Sequence, residues 1–335
     1  MTFLTPGSDP APQGQGIAYD GTTYVPLQNA VISMLDRGFV RSDATYDVTH
    51  VWNGRFFRLD DYVERFFTSI AALGMSIDET PEQVKNVLHE CVARSGLRNA
   101  YVQMTCTRGV PPSGSRNPKE CKNRFTAFAQ PFVWIATPEQ QKTGVHMIVA
   151  SNERISSRAV DLRIKNFHWL DLTAGILEAY EREALIAVHP GPDGKLTEGA
   201  GFNLFVVKNN TLSTPDTNLF EGMTRRTVIE TADRLQLNVE VRPVDRTELE
   251  TADEVFVTST AGGIMPVTKI DAQAVGEGTP GALTRAVQDL YWCLHETPEF
   301  TTAVRYPTGI GTEQAPKGTD QDHARQPADR GESNE

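Results

Sequence analysis

The chain has 335 residues, of which 39% are hydrophobic and 22% are charged, a composition typical of a globular protein rather than a disordered one. Its 43 acidic residues outnumber its 32 basic ones, so the net charge is −11, which argues against a general nucleic-acid binder. No apolar run approaches the ~18 residues of a transmembrane helix, and residues 1–16 lack the basic and apolar regions of a secretory signal. We expect a cytoplasmic protein without a membrane or nucleic-acid partner.

The four cysteines form no CxxC pair and no Cys/His ligand cluster; they are Cys91, Cys106, Cys121 and Cys293. A structural zinc site is therefore not expected, and reduced thiols agree with a cytoplasmic location.

The first half of the chain reads as strands followed by helices. Apolar and polar residues alternate over 16–27 on both sides of Asp20-Gly21, which predicts a hairpin. A second turn is expected at Asn53-Gly54. The next segment predicts a helix capped by Asp60 or Asp61, with Val63, Phe66, Phe67 and Ile70 at helical spacing. A second helix is predicted from Thr80 as its N-cap to Gly96, with Pro81 at its first position.

Strands and helices alternate in the remainder. Strands are predicted over 99–109 and 124–136, separated by a loop that is rich in Pro and Gly, and another over 144–151. Residues 195–215 predict two strands joined by Asn209-Asn210, and 253–270 predict a strand that runs into a Gly-containing turn. Helices are predicted over 171–186, 224–237 and 281–296.

This order of elements predicts an α+β fold of two domains. We expect a small domain over 17–137 and a larger one over 144–306, with the break near 135–144. The short, often hairpin-linked strands of the second half argue against a doubly wound parallel sheet. Residues 1–16 and 307–335 are poor in apolar side chains, and we expect them to be disordered.

Two local features contain a group that could be reactive, and each also has a more ordinary interpretation. Lys165 lies in an apolar stretch, where a desolvated amine becomes a nucleophile towards carbonyls; alternatively, it is a strand-end lysine that reaches solvent. Glu198 lies at a turn in TEGAGFN, where a fixed carboxylate could stabilise a protonated pyridine nitrogen; alternatively, this is only a Gly-containing turn.

Two further segments are suited to an anion. GMTRR at 222–226 opens a helix whose first amides could bind phosphate, although an unliganded helix start would look the same. TSTAGG at 258–263 offers hydroxyls after an apolar strand, or is merely a tight turn. The chain contains no GxGxxG, P-loop or GxSxG motif, so a Rossmann site, a P-loop or a nucleophile elbow is not supported.

Taken together and in this order, these features resemble the class IV aminotransferases, the pyridoxal-phosphate enzymes of fold type IV. The resemblance covers roughly residues 17–306. Its most specific part is one long signature, which runs through Glu198, Asn203, Thr214, Gly222, Thr224 and Arg225.

The resemblance implies a pyridoxal 5′-phosphate cofactor and assigns residues to it. Lys165 would form the Schiff base, and Glu198 would keep the pyridine nitrogen protonated. The phosphate would be bound by Arg65, Met223, Thr224, Ser259 and Thr260. Phe220 stands where the family usually has a smaller aliphatic residue against the pyridine ring, so ring packing is expected to differ.

Within the family, the chain most resembles the (R)-selective amine transaminases. The block SDATYDVTHVWNGRFFRLDDYVERF, the run IKNFHW and the ending TAGGIMP carry this resemblance. Branched-chain enzymes usually have an arginine where Gln103 stands, and Arg116 lies where the amine transaminases place an arginine that meets the keto-acid carboxylate. The implied substrate pocket contains Tyr46, Val48, His50, Arg116, Trp169, Thr260 and Ala261, with core packing as the alternative for His50 and Trp169.

The implied reaction moves an amino group from a primary amine to a pyruvate-like keto acid. The alternatives are a branched-chain or D-amino-acid aminotransferase, or a lyase of the same fold that resembles aminodeoxychorismate lyase. The family resemblance also implies a homodimer.

Overall fold

The computed structural model describes residues 16–307. The segments expected to be disordered, 1–16 and 307–335, fall outside this range except for their boundary residues. Within 16–307, no helix is both long and apolar enough to cross a membrane.

The described chain contains strands in two sheets, together with helices on their faces. The strands are β1 (Ile17–Tyr19), β2 (Tyr24–Pro26), β3 (Ala44–Trp52), β4 (Arg55–Phe57), β5 (Ala100–Thr107), β6 (Arg124–Pro131), β7 (Val145–Val149), β8 (Ile186–Pro190), β9 (Leu196–Gly199), β10 (Phe202–Lys208), β11 (Thr211–Thr214), β12 (Asn238–Val241), β13 (Glu254–Ser259), β14 (Gly263–Ile270), β15 (Gln273–Ala274) and β16 (Thr301–Ala303). The α-helices are α1 (Arg37–Arg41), α2 (Leu59–Ala72), α3 (Pro81–Ser95), α4 (Pro138–Thr143), α5 (Leu170–Glu181), α6 (Met223–Thr231), α7 (Arg246–Glu250) and α8 (Ala282–Cys293).

The first sheet has seven strands in the order β16-β4-β3-β5-β6-β1-β2, and all of its pairs are antiparallel. One face packs against α2 and α3 in a core that includes Phe56, Tyr62, Phe66, Leu88 and Met104. The edge strand β16 comes from the end of the described chain and pairs with β4. The domain limits 17–137 and 144–306 stay a prediction.

The second sheet closes on itself. Its order is β12-β11-β10-β13-β14-β7-β8-β9, and β9 also pairs with β10, so six of its strands form a ring. Leu204 and Val206 point into the ring, while Phe205 and Val207 point outwards to the core beneath α6 and α8. This alternation is the period of two that a strand imposes, and it explains why β10 is apolar on both faces.

Most of the predicted turns and caps are present. Asn53 and Gly54 have positive φ (50° and 76°) and join β3 to β4, as Asn-Gly hairpins do. Thr80 accepts a hydrogen bond from the Gln83 amide and opens α3, which ends at Gly96.

Several expectations about element limits were wrong; the strand predicted over 124–136 ends at Pro131, and the helix predicted over 171–186 ends at Glu181. The N-cap of α2 is Arg58, at φ 52°, and not Asp60 or Asp61, which lie in the first helical turn. The Arg58 side chain is buried and bonds Asp61 and Glu230, so it joins α2 to α6. Residues 195–215 form three strands rather than two, because the chain turns at Gly201 (φ 80°) between β9 and β10.

Candidate active site

A cavity of about 420 Å³ lies where the first sheet meets the second. The first sheet supplies one wall from β3, β5 and β6. The rest of the lining comes largely from the β9–β10 turn, the start of α6, the β13–β14 turn and the long loop 150–169. The lining includes Tyr46, Val48, Arg65, Tyr101, Gln103, Gln130, Arg154, Lys165, Trp169, Glu198, Phe220, Met223, Thr224, Thr258, Ser259, Thr260 and Ala261.

Lys165 lies on the loop 150–169, which is held against β3. The backbone carbonyl of Lys165 accepts hydrogen bonds from the Tyr46 amide (3.2 Å) and the Thr45 hydroxyl (2.7 Å). Its Nζ lies 4.4 Å from the centroid of the Phe220 ring and 4.9 Å from that of Tyr46. The alternative of a strand-end lysine is not what the structure shows, because the segment forms no strand and Nζ faces the cavity.

The setting of Lys165 favours a neutral amine. Burial lowers its pKa from 10.5 to about 8; the nearby Arg65 cation acts in the same direction, whereas the Asp47 and Glu198 carboxylates oppose it. A neutral amine carries the lone pair that attacks a carbonyl carbon. Lys165 is thus suited to form and break a bond to a carbonyl compound near neutral pH.

Glu198 lies at the end of β9 and is buried. Its Oε1 accepts a hydrogen bond from Nε of Arg154 at 3.0 Å, and its Oε2 accepts one from the Phe220 amide at 2.9 Å. The pKa of Glu198 is raised above its ordinary value, because the effect of burial outweighs the opposing effects of the Arg154 cation and the Phe220 amide hydrogen bond. The result is a fixed carboxylate that shares the cavity with Lys165.

The start of α6 forms a polar end of the cavity. The first amides of a helix have no partner within the helix, so those of Met223 and Thr224 are suited to an anion. Asn203 fixes this helix start: its Oδ1 accepts the Gly222 amide (3.1 Å) and its Nδ2 donates to the Phe220 carbonyl (2.8 Å).

Arg65 contributes positive charge to the cavity. Two of its nitrogens donate to the buried Asp47 carboxylate at 2.8 Å each, and a third bond runs to the Glu221 carbonyl. A guanidinium has five N–H donors, so two remain for an anion. The Phe220 ring lies against the Arg65 guanidinium, 4.5 Å from its Cζ.

The end of β13 and the β13–β14 turn bring three hydroxyls to the cavity, and these hydroxyls differ in their hydrogen bonds. The Ser259 hydroxyl donates to the Gly201 carbonyl (2.7 Å) and so links the end of β13 to the β9–β10 turn. Thr260 bonds the Tyr62 hydroxyl at 2.7 Å. Thr258 has a buried hydroxyl for which the described residues provide no partner, which leaves it for a ligand.

Two of the residues expected in the substrate pocket lie outside the cavity. His50 follows Tyr46 and Val48 on the same face of β3 but lies beyond the lining, where its Nε2 is 2.7 Å from Nε2 of His295. Arg116 is exposed on the loop 110–123 and does not reach the cavity of its own chain. Tyr46, Val48, Trp169, Thr260 and Ala261 do line it.

The structure also adds residues that the sequence motifs did not single out. Arg154 bonds Glu198, and Asp47 bonds Arg65; neither partner is near in sequence, so no local pattern signals the pair. Tyr101 and Gln130 line the wall on β5 and β6, next to Gln103, whose position the family comparison had already marked. Side chains two positions apart on a strand point to the same face of the sheet, and this alternation was the one sequence signal that these residues share a face.

A sequence model of the family described as amino-transferase class IV matches residues 44–270, which is more than half of the chain. The chain is a class IV aminotransferase. It is 34% identical to a D-alanine aminotransferase of Bacillus licheniformis over 260 residues, which cover 77% of this chain and 89% of that protein. It is 28% identical to a putative branched-chain-amino-acid aminotransferase of Methanocaldococcus jannaschii, over 80% of this chain and 92% of the other.

Solved structures agree with the family assignment. The branched-chain amino acid aminotransferase of Thermobaculum terrenum, solved in its PLP-form, has a TM-score of 0.78 and 26% identity, and the match covers 86% of this chain and 98% of the other. The Escherichia coli branched-chain enzyme, at 22% identity and a TM-score of 0.82, shows the common fold; that match covers 86% of this chain and 99% of the other. The family, the fold type IV architecture and the enzyme class predicted from the sequence are confirmed.

The class IV aminotransferases use pyridoxal 5′-phosphate, and the cavity fits this group. Lys165 would provide the amine for its aldehyde, the buried Glu198 carboxylate could accept a hydrogen bond from a ring nitrogen, and the α6 amides would suit its phosphate. The unpartnered Thr258 hydroxyl is consistent with a ligand that this aminotransferase binds in the cavity. The expected cofactor is confirmed.

Proposed function

We propose that this aminotransferase acts on amino acids of the D-alanine or branched-chain type and transfers their amino group to a keto acid. The observation that carries the proposal is that Lys165, with its lowered pKa, and the buried Glu198 face one cavity. The relatives' names support amino-acid donors over the (R)-amine donors expected from the sequence blocks. They also favour group transfer over the lyase alternative.

The residues divide the chemical work as follows. Pyridoxal phosphate, when bound, supplies a carbonyl that exchanges amines and a ring that accepts the electron pair of the substrate carbon. Lys165 would hold the cofactor through its amine and, when free, would move a proton from and to the substrate carbon. Glu198 would accept a hydrogen bond from the ring nitrogen and keep that nitrogen protonated, and Arg65, Met223 and Thr224 would bind the phosphate.

An (R)-amine with pyruvate as acceptor is the second candidate, and the charges of the cavity favour it. Among the described residues that line the cavity, the two arginines already have carboxylate partners, Arg65 with Asp47 and Arg154 with Glu198 and Asp171. The β5 wall offers neutral groups instead, such as the Gln103 amide, which donates to the Thr105 hydroxyl. A donor without a carboxylate needs no further cation there.

One experiment distinguishes these donors. The protein loaded with pyridoxal phosphate is mixed separately with D-alanine, L-leucine, and the (R) and (S) forms of 1-phenylethylamine, and the loss of absorbance of the Lys165-bound cofactor is followed. Rapid loss with D-alanine or L-leucine is expected. Loss with the (R)-amine alone would replace the main proposal by the second candidate, and the variant Lys165→Ala serves as the control without the reactive amine.

We also propose that the enzyme is a homodimer. The segment 31–40 exposes an unusual run of apolar side chains: Val31 (78% exposed), Met34 (77%), Leu35 (69%) and Phe39 (63%). Contiguous apolar surface of this kind marks an interaction site in soluble proteins. A second copy of this chain is the occupant that agrees with the family resemblance.

A further inference from the structure

Arg154 is a buried cation placed between two carboxylates. Its side chain is 5% exposed; its Nε lies 3.0 Å from Oε1 of Glu198, and its Nη1 lies 2.6 Å from Oδ2 of Asp171. Its backbone amide donates to the Pro190 carbonyl at 2.8 Å, which fixes this part of the loop 150–169 on β8. Asp171, in the first turn of α5, also accepts the Ile155 amide at 2.7 Å. Both acids and the loop are thus tied to one guanidinium.

Arg154 is the only cation with a direct bond to Glu198 among the described residues. Lys165, Tyr46 and Arg225 interact with Glu198 electrostatically but form no hydrogen bond or ion pair with it. A buried carboxylate without a bonded cation takes up a proton rather than stay ionised in an apolar site. The state of Glu198 therefore depends on Arg154.

We propose that Arg154 is a positioning residue that keeps Glu198 ionised and oriented so that its carboxylate can accept a hydrogen bond from the protonated ring nitrogen of the cofactor. This inference rests on the proposed role of Glu198. The two oxygens of Glu198 have different partners, Arg154 and the Phe220 amide, which together fix the carboxylate plane. Each oxygen can accept more than one hydrogen bond, so the ring nitrogen can be bound in addition.

Proton uptake on binding reports the state of Glu198 without any turnover. When Glu198 is ionised in the free protein, the proton shared with the ring nitrogen must come from the ligand or from solvent. When Arg154 is replaced by a neutral residue, Glu198 already carries a proton and supplies it. The number of protons taken up on binding then falls by up to about one per site.

The test uses the full-length chain with its cofactor removed and titrates it with pyridoxamine 5′-phosphate in buffers of different ionisation enthalpy. This ligand has no carbonyl, so no bond to Lys165 forms. Calorimetry then gives the affinity and the proton uptake for the wild type, Arg154→Gln and Arg154→Lys. We expect Arg154→Gln to bind at least about tenfold more weakly and with less proton uptake, whereas Arg154→Lys keeps the wild-type uptake.

A second pair of variants guards against misfolding. Arg154→Gln leaves the partly buried Asp171 without its ion-pair partner. The double variant Arg154→Gln/Asp171→Asn, which removes one charge of each sign, is therefore compared with Asp171→Asn alone. We expect the double variant to take up fewer protons than Asp171→Asn. Equal proton uptake with and without Arg154, in either pair, would overturn the inference. If the wild type bound no pyridoxamine phosphate at all, the proposed cofactor site would fail first and this inference with it.

Discussion

The reactivity of Lys165 is set by the residues around it rather than by the lysine itself. Its amine lies between the rings of Phe220 and Tyr46, and burial brings its pKa to about 8. The Asp47 carboxylate favours the charged amine, while Arg65, which Asp47 holds in an ion pair, disfavours it. The ion pair therefore tunes the amine through two opposed effects.

The pH dependence of cofactor capture should follow this pKa. Only the neutral amine attacks, so the rate of reaction of the cofactor-free protein with pyridoxal phosphate should rise about tenfold per pH unit below pH 8 and level off above it. Asp47→Asn removes the carboxylate that favours the ammonium form, so its midpoint should shift to lower pH. Stopped-flow absorbance measures both series.

The exposed Asp60 provides a matched control, since Asp60→Asn removes a carboxylate of α2 that is paired with Lys85 at the surface. Its profile should coincide with that of the wild type. A midpoint near 10.5, or an Asp47→Asn midpoint above that of the wild type, would contradict the interpretation.

At the scale of elements, the site is built from helix starts and turns rather than from whole strands. The start of α6, the β9–β10 turn and the β13–β14 turn meet, and short side chains tie them together: Asn203 bonds Gly222, and Ser259 bonds Gly201. Gly222 is needed here for space. A Cβ at this position would lie 2.2 Å from Oδ1 of Asn203, although its φ of −64° suits any residue.

Gly222→Ala should therefore displace Asn203 and the first turn of α6. We expect it to cost about 1–3 kcal/mol of folding free energy, because the bonds from Asn203 to Gly222 and Phe220 are lost or distorted. Affinity for pyridoxamine phosphate should fall as well, since the displaced amides include those of Met223 and Thr224. Urea unfolding and calorimetry measure the two effects.

The double variant Gly222→Ala/Asn203→Ala tests the cause, because it removes the atom that the new methyl group meets. If the clash is the cause, the two effects on the free energy of unfolding are not additive, and Gly222→Ala costs less when Asn203 is already alanine. A Gly222→Ala protein as stable as the wild type would refute the steric argument.

The sequence predicted local features of the fold and of the site, and it missed the long-range contacts. The Asn53-Gly54 turn and the cap at Thr80 depend on adjacent residues, and the start of α6 was identifiable from Gly222 to Arg225 alone. Lys165 was singled out by its apolar surroundings, and Glu198 lies within the family signature. The partner of Glu198 was not, because Arg154 lies 44 positions away on an irregular loop.

The sequence placed His50 in the substrate pocket or in the core, and the structure puts it outside the cavity for the same physical reason. Alternation along β3 correctly puts it on the face of Tyr46 and Val48, but it cannot tell where along that face the cavity ends. The cavity ends there because His295, 245 positions away, packs against His50. Only the pairing of distant elements decides this.

At the scale of the molecule, two sheets enclose the site, and the chain crosses between them more than once. The strand β16 returns from the second half to pair with β4 of the first sheet, and Arg58 joins α2 to Glu230 of α6. The halves are therefore tied at the end of β4, by a strand pair and by an ion pair. The segment 31–40, in contrast, is not packed into either half, because the rest of the described chain leaves its apolar side chains exposed.

If a second copy covers the segment 31–40, a charge placed there should break the dimer. Phe39→Glu would bury an unpaired carboxylate in an apolar interface, so we expect its dimer dissociation constant to rise at least about tenfold. Sedimentation velocity or light scattering over a range of concentrations measures this. Val241→Glu is the matched control, since Val241 is an exposed apolar residue (50%) on the edge strand β12, outside the segment. A Phe39→Glu protein that dimerises as well as the wild type would show that the segment 31–40 has some other use.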